Sequence, residues 1–198
     1  MKVSLVKLAI RAHADKWHVP EDRMKLAWFP VLNRQEMLRD TPDADLQALD
    51  TRLKGKIVLG YCGRFVPEKG LDLLARLAKR LSPGGHLLLV GEGPLASLFD
   101  GLPNVTILPF QKPMSIGHFY QRMSALILPS RTVFNWEEQF GRVIHEAKMF
   151  GIPVLASRSG SIPEYLEPQC LFAEDDLDGL IQALRPLFPA LINDASRA

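Results

Sequence analysis

From Lys56 onward, short runs of Val, Ile and Leu alternate with stretches whose apolar positions recur every three to four residues. That alternation is the pattern of βαβ units, in which each helix crosses back over a parallel sheet. Six runs read as strands: 56–62, 86–91, 104–108, 125–128, 153–156 and 169–172. They show little alternation of apolar and polar residues, as expected of strands covered by helices on both faces. The intervening segments 68–81, 94–100, 115–123, 140–150 and 176–187 read as helices. In the first of these, Leu71, Leu74, Leu77, Ala78 and Leu81 form one stripe of helical period. Turn residues fall at the joints, where Ser82-Pro83-Gly84-Gly85, Gly101-Leu102-Pro103-Asn104 and Gly151-Ile152-Pro153 each close a helix and open a strand. The expected fold class is α/β, a doubly wound, six-stranded parallel sheet.

The chain before Lys56 reads differently. Residues 1–17 have the spacing of an isolated amphipathic helix, 24–29 form a short apolar run, and Asp40-Thr41-Pro42-Asp43-Ala44-Asp45 is a polar, Pro-containing break. Residues 1–50 are therefore expected to be the remnant of a preceding domain or a linker, an N-terminal helical appendage docked on a domain spanning 51–198. Lys7 interrupts the apolar start, which leaves it too short for a secretory segment or a transmembrane span.

Charge and cysteine content narrow the picture slightly. The 24 Lys and Arg nearly balance the 22 Asp and Glu, leaving a formal charge of +2, so no global field draws the protein to nucleic acid. Cys62 and Cys170 sit far apart in apolar runs, which suits reduced thiols better than a disulfide framework. The expectation is a cytoplasmic protein, at most peripheral at the inner face of a membrane, with no transmembrane segment and no nucleic-acid partner.

Candidate chemistry lies at the strand-to-helix junctions, where doubly wound folds bind ligands and helix N-termini favour anions. After the first strand, Gly63 and Arg64 precede Pro67, Glu68 and Lys69; Arg64 offers a planar fork to phosphate and Lys69 a point charge. Without a G-x-G-x-x-G or Walker pattern, spacing alone leaves these two as either phosphate ligands or solvated loop charges. After the fourth strand, Trp136-Glu137-Glu138-Gln139-Phe140-Gly141-Arg142-Val143-Ile144-His145-Glu146 puts one acid ahead of a helix and another about two turns in. Both can border one crevice, where a carboxylate accepts from vicinal hydroxyls, or they can be a capping acid and a surface charge. Amides of Gln139, Phe140 and Gly141 would stand at the helix's positive end. Asp43-Ala44-Asp45 imitates a metal-binding triplet but does not follow an apolar strand, so no metal site is expected. His145 falls on a different helix face from Glu146 and reads as packing, as does Trp136.

Taken together, Gly63 to Gly70, Val90-Gly91-Glu92-Gly93-Pro94, Leu128-Pro129-Ser130, Glu138-Gln139-Phe140-Gly141 with Glu146-Ala147, and Gly151-Ile152-Pro153-Val154 resemble the C-terminal domain of retaining GT-B-type glycosyltransferases, those with a Glu, seven residues, Glu motif. The resemblance implies a Rossmann-like domain whose substrate is a nucleotide-diphosphate sugar, with no further cofactor. It also implies a saccharide or glycolipid acceptor and a separate N-terminal acceptor domain. It assigns Arg64 and Lys69 to the donor's diphosphate, Glu138 to the transferred sugar, the amides of Gln139, Phe140 and Gly141 to sugar and phosphate, and Glu146 to the ribose. Phe110 and Gln111 fall where the family lines its base pocket. Position 139, commonly Gly in the family, is Gln here. Two further readings are a nucleotide-sugar-binding module without catalysis and a GT-B-like sugar-nucleotide epimerase; the spacing of Glu138 and Glu146 favours glycosyl transfer.

Overall fold

The structure, a computed structural model, describes residues 2–4, 28–30 and 32–193. Its centre is a six-stranded sheet of β3 (Ile57–Cys62), β4 (Gly85–Val90), β5 (Val105–Leu108), β6 (Ala125–Leu128), β7 (Val154–Ser157) and β8 (Leu171–Phe172). Every pairing is parallel and the order is β5-β4-β3-β6-β7-β8. The six strands expected from sequence are all present, with ends shifted by at most two residues. This is the doubly wound arrangement, and its winding reverses between β3 and β6.

Five α-helices appear among the described residues: α1 (Leu46–Leu53), α2 (Leu71–Ala78), α3 (Gly117–Tyr120), α4 (Arg142–Met149) and α5 (Leu177–Leu184). The stripe in α2 is buried as its period implies, with Leu71, Leu74, Leu77 and Ala78 in the core, and Leu180, Ile181 and Leu184 of α5 share that core. Burying one Leu is worth about 2 kcal/mol, so these two stripes anchor the helices to the sheet.

Several boundaries differ from the sequence reading. The expected helix 68–81 opens as a 3-10 turn at Pro67–Lys69, and Gly70 with φ 65° separates that turn from α2. The segment expected as a helix over 94–100 is a 3-10 helix, Pro94–Phe99. The helix expected from 140 starts at Arg142, because Gly141 has φ 53° and a left-handed residue cannot sit inside a right-handed helix.

The region before the sheet also departs from expectation. Lys2–Ser4 (β1) pairs antiparallel with Trp28–Pro30 (β2), so the helix expected over 1–17 does not begin at the first residues; pairing with a partner strand overrides local propensity there. The remainder of that expected helix lies outside the described residues. Helix α1 was not anticipated at all. Asp45 caps it, accepting from the amides of Gln47 and Ala48 at 3.0 and 2.9 Å, and Leu49 and Leu53 bury into the same core as the sheet. The Asp45 carboxylate is thus committed to a helix end.

Candidate functional site

In open α/β sheets ligands bind beyond the carboxyl ends of the strands, where the winding reverses. Here that point lies between the loop after β3, residues 63–70, and the connection from β6 to α4, residues 129–141. The two segments are locked together through backbone. Arg131 N donates to Glu68 O at 2.8 Å, and Gly70 lies so close to Pro129 that an added Cβ would stand 2.0 Å from its carbonyl oxygen. Glycine at 70 therefore serves both the left-handed turn and the contact.

This contact brings Lys69 to Glu138. Lys69 Nζ lies 2.6 Å from Glu138 Oε2, with the side chains only 15% and 11% exposed. Ser130 Oγ donates to the same carboxylate oxygen at 2.9 Å, and the Lys69 ammonium lies 4.5 Å from the centre of the Trp136 ring. A largely desolvated ion pair holds only when its remaining lone pairs and protons find partners. Ser130 and the Trp136 face supply two of them. The backbone of Glu138 is fixed as well: its carbonyl accepts from Ser161 N at 2.9 Å and lies 2.1 Å from where a Cβ on Gly160 would be.

Beside this cluster opens a cleft with about 630 Å³ of empty space, its open mouth included, and Gly63, Arg64, Phe110, Gln111, Arg142 and Glu146 are among its walls. Arg64 is exposed and stands 3.4 Å from Glu68, while Tyr61 anchors its backbone by donating to Arg64 O at 2.8 Å. Glu146 is held on both oxygens. The Tyr120 hydroxyl donates to Oε2 at 2.7 Å, and Arg142 Nε lies 3.1 Å from Oε1. Burial, with Cys62 and Glu146 alongside, pushes the Tyr120 phenol well above its ordinary range, and burial does the same to the Cys62 thiol. Both stay protonated, so Tyr120 is a permanent donor to Glu146.

The structure thus places Gly63, Arg64, Phe110, Gln111 and Glu146 on one cleft, and Lys69 with Glu138 in the adjoining cluster. Gln139, Phe140 and Gly141 occupy the connection between the two acids, ahead of α4 and not in its first turn. The Phe140 ring stacks on His145 at 5.0 Å, and His145 meets the edge of Tyr165 at 4.9 Å, so His145 packs as expected. Trp136 is half-buried against Lys69, away from the core role expected for it. The sequence reading gave no site role to Tyr120 or Arg142, and took Ser130 only as part of the Leu128-Pro129-Ser130 motif, without its bond to Glu138. Arg142 carried a signal, as the residue one helical turn before Glu146. Among the described residues, no group of three or more His, Cys, Asp or Glu side chains is arranged to hold a metal ion.

A doubly wound sheet with cations and acids gathered at its switch point is the frame in which open α/β domains place their ligands. The chain belongs to the family described as glycosyl transferases group 1, whose model matches residues 56–189. It is 35% identical over 120 residues to D-inositol 3-phosphate glycosyltransferase of Segniliparus rotundus, an alignment that covers 54% of this chain and 26% of that protein. The chain therefore spans about a quarter of that relative's length. Among solved structures, sucrose-phosphate synthase from Thermosynechococcus elongatus superimposes with a TM-score of 0.70 at 23% identity, over 93% of this chain and 48% of that one. HepE from Anabaena, solved in complex with UDP-glucose, does so with a TM-score of 0.60 at 23% identity, over 78% and 46%. These likenesses establish the GT-B-type domain fold. No helix among the described residues is long and apolar enough to cross a membrane.

Proposed function

We propose that this chain is the donor-binding part of a cytoplasmic glycosyltransferase that moves a sugar, with retention, from a nucleotide-diphosphate sugar to a saccharide or glycolipid acceptor held by a separate domain. The reading rests chiefly on Lys69 meeting Glu138 at 2.6 Å beside a cleft that Arg64 shares with Glu146. Arg64 and Lys69 would bind the diphosphate. As the sugar–phosphate bond breaks, negative charge collects on the departing diphosphate, and fixed cations facing it lower the barrier. An ammonium has three donors, so Lys69 can keep Glu138 and still reach a phosphate oxygen.

Glu138 would accept from the sugar's hydroxyls, and the amides of Gln139, Phe140 and Gly141 would approach the sugar and phosphate. Glu146 would take the ribose hydroxyls, with Phe110 and Gln111 beside the base. The presence of UDP-glucose in HepE makes uracil the first base to try. Calorimetry with UDP, GDP, ADP and their nucleosides tests the reading. Arg64→Ala and Lys69→Ala should each weaken the preferred diphosphate by about tenfold while changing its nucleoside little. Equal losses for both ligands contradict the assignment.

A further inference from the structure

Glu146 meets its two partners on unequal terms. Tyr120, fully buried on α3, donates to Oε2 and cannot leave without unpacking the core. Arg142, one turn earlier on α4, reaches Oε1 with a side chain 65% exposed, against 13% for Glu146. An exposed ion pair one helical turn apart is weak and easily broken. The same Arg142 also lines the cleft with Arg64.

We propose that Arg142 is a specificity-determining residue that changes partner on ligand binding, leaving Glu146 Oε1 to a ribose hydroxyl and turning its guanidinium to an anionic group on the same ligand. This inference rests on the donor-site reading above and adds a residue to it. Glu146 enters the encounter with Oε2 held by buried Tyr120 and Oε1 by exposed Arg142, so a hydroxyl approaching Oε1 from the cleft competes with the guanidinium, the more weakly held of the two partners. The released guanidinium then stands in a cleft whose other cation comes from the loop after β3. A diphosphate offers it a charge-assisted, two-point partner, whereas an uncharged nucleoside offers none. Arg142 therefore works against the nucleoside and for the nucleoside diphosphate.

The opposed signs make the exchange testable by calorimetry on the full chain with UDP, GDP and ADP and with uridine, guanosine and adenosine. In Arg142→Leu, Kd for the preferred diphosphate should rise about tenfold while Kd for its nucleoside falls about twofold. Arg142→Gln should give the same pair of signs; both substitutions are at one solvent-facing position, and thermal melting checks that the fold is retained. A shift of both ligands in one direction, or a nucleoside Kd that does not fall, overturns the exchange. If the unaltered protein binds none of the three diphosphates, it is the donor-site reading itself that fails.

Discussion

The 2.6 Å approach of Lys69 Nζ to Glu138 Oε2 ties the loop after β3 to the connection after β6, across the point where the sheet reverses its winding. A ligand that bridges the two strand ends would find a cation and an acid already positioned, because glycines at 70 and 160 let backbone pack where a side chain would clash.

The pair predicts a specific stability pattern. Removing one partner of a largely desolvated ion pair strands the other, at a cost of about 3 kcal/mol, whereas removing both costs less than the sum. Urea denaturation of Glu138→Ala, Lys69→Ala and the double variant should give a coupling of about 1 kcal/mol or more. A coupling near zero would mean that the two side chains do not interact in solution.

Trp136 is expected to hold the Lys69 ammonium ready for phosphate through the face of its ring, 4.5 Å away. Trp136→Leu should raise Kd for the preferred nucleoside diphosphate severalfold and leave the nucleoside unchanged, and Trp136→Phe should recover part of the loss. Loss of nucleoside binding as well would indicate a general packing defect.

The sheet was legible because its strands are mainly apolar runs with little alternation, a pattern that few alternatives satisfy. Helix α1 was legible in principle, with Asp45 as cap and Leu46, Leu49 and Leu53 at helical spacing, but its eight residues follow a Pro-containing break that masks them. The start of α4 was not legible, since nothing local announces that Gly141 turns left-handed. Site residues split the same way. Arg64, Lys69, Glu138 and Glu146 of the candidate site stand out in the sequence as parts of motifs that carry the family resemblance. Tyr120 meets Glu146 across 26 residues of sequence, a distance at which no pattern of spacing speaks.

Because the Tyr120 hydroxyl holds Glu146 at 2.7 Å, Tyr120→Phe should leave that carboxylate with only its exposed partner Arg142. The selective consequence concerns ribose. Protein that prefers a ribonucleoside diphosphate over its 2′-deoxy counterpart should lose most of that preference in Tyr120→Phe, while the 2′-deoxy ligand itself binds much as before. Comparing the two Kd values in each protein checks this; an unchanged ratio would remove Tyr120 from ribose recognition.

His86 makes the fold sensitive to acid. It is fully buried on β4, with Nε2 2.8 Å from Thr106 Oγ1 and Nδ1 3.4 Å from Lys56 Nζ. An ammonium has no lone pair, so Nδ1 must accept from Lys56 and Nε2 must carry the proton donated to Thr106. A second proton has no place. Burial first, then the charges of Lys56 and Arg52, lower its pKa from 6.5 to about 4. The folded state thus resists a proton that the unfolded chain takes up below pH 6.5, and stability falls as pH drops from there until it levels off below about 4. At pH 5 the loss amounts to about 2 kcal/mol relative to pH 7. His145, whose pKa burial also lowers, adds a slope of the same sign, so the diagnostic quantity is a difference between variants. Urea midpoints at pH 7 and pH 5 should converge in His86→Gln relative to the unaltered protein, since glutamine keeps a donor and an acceptor but cannot be charged. If the two proteins lose stability equally on acidification, His86 is not the group that titrates.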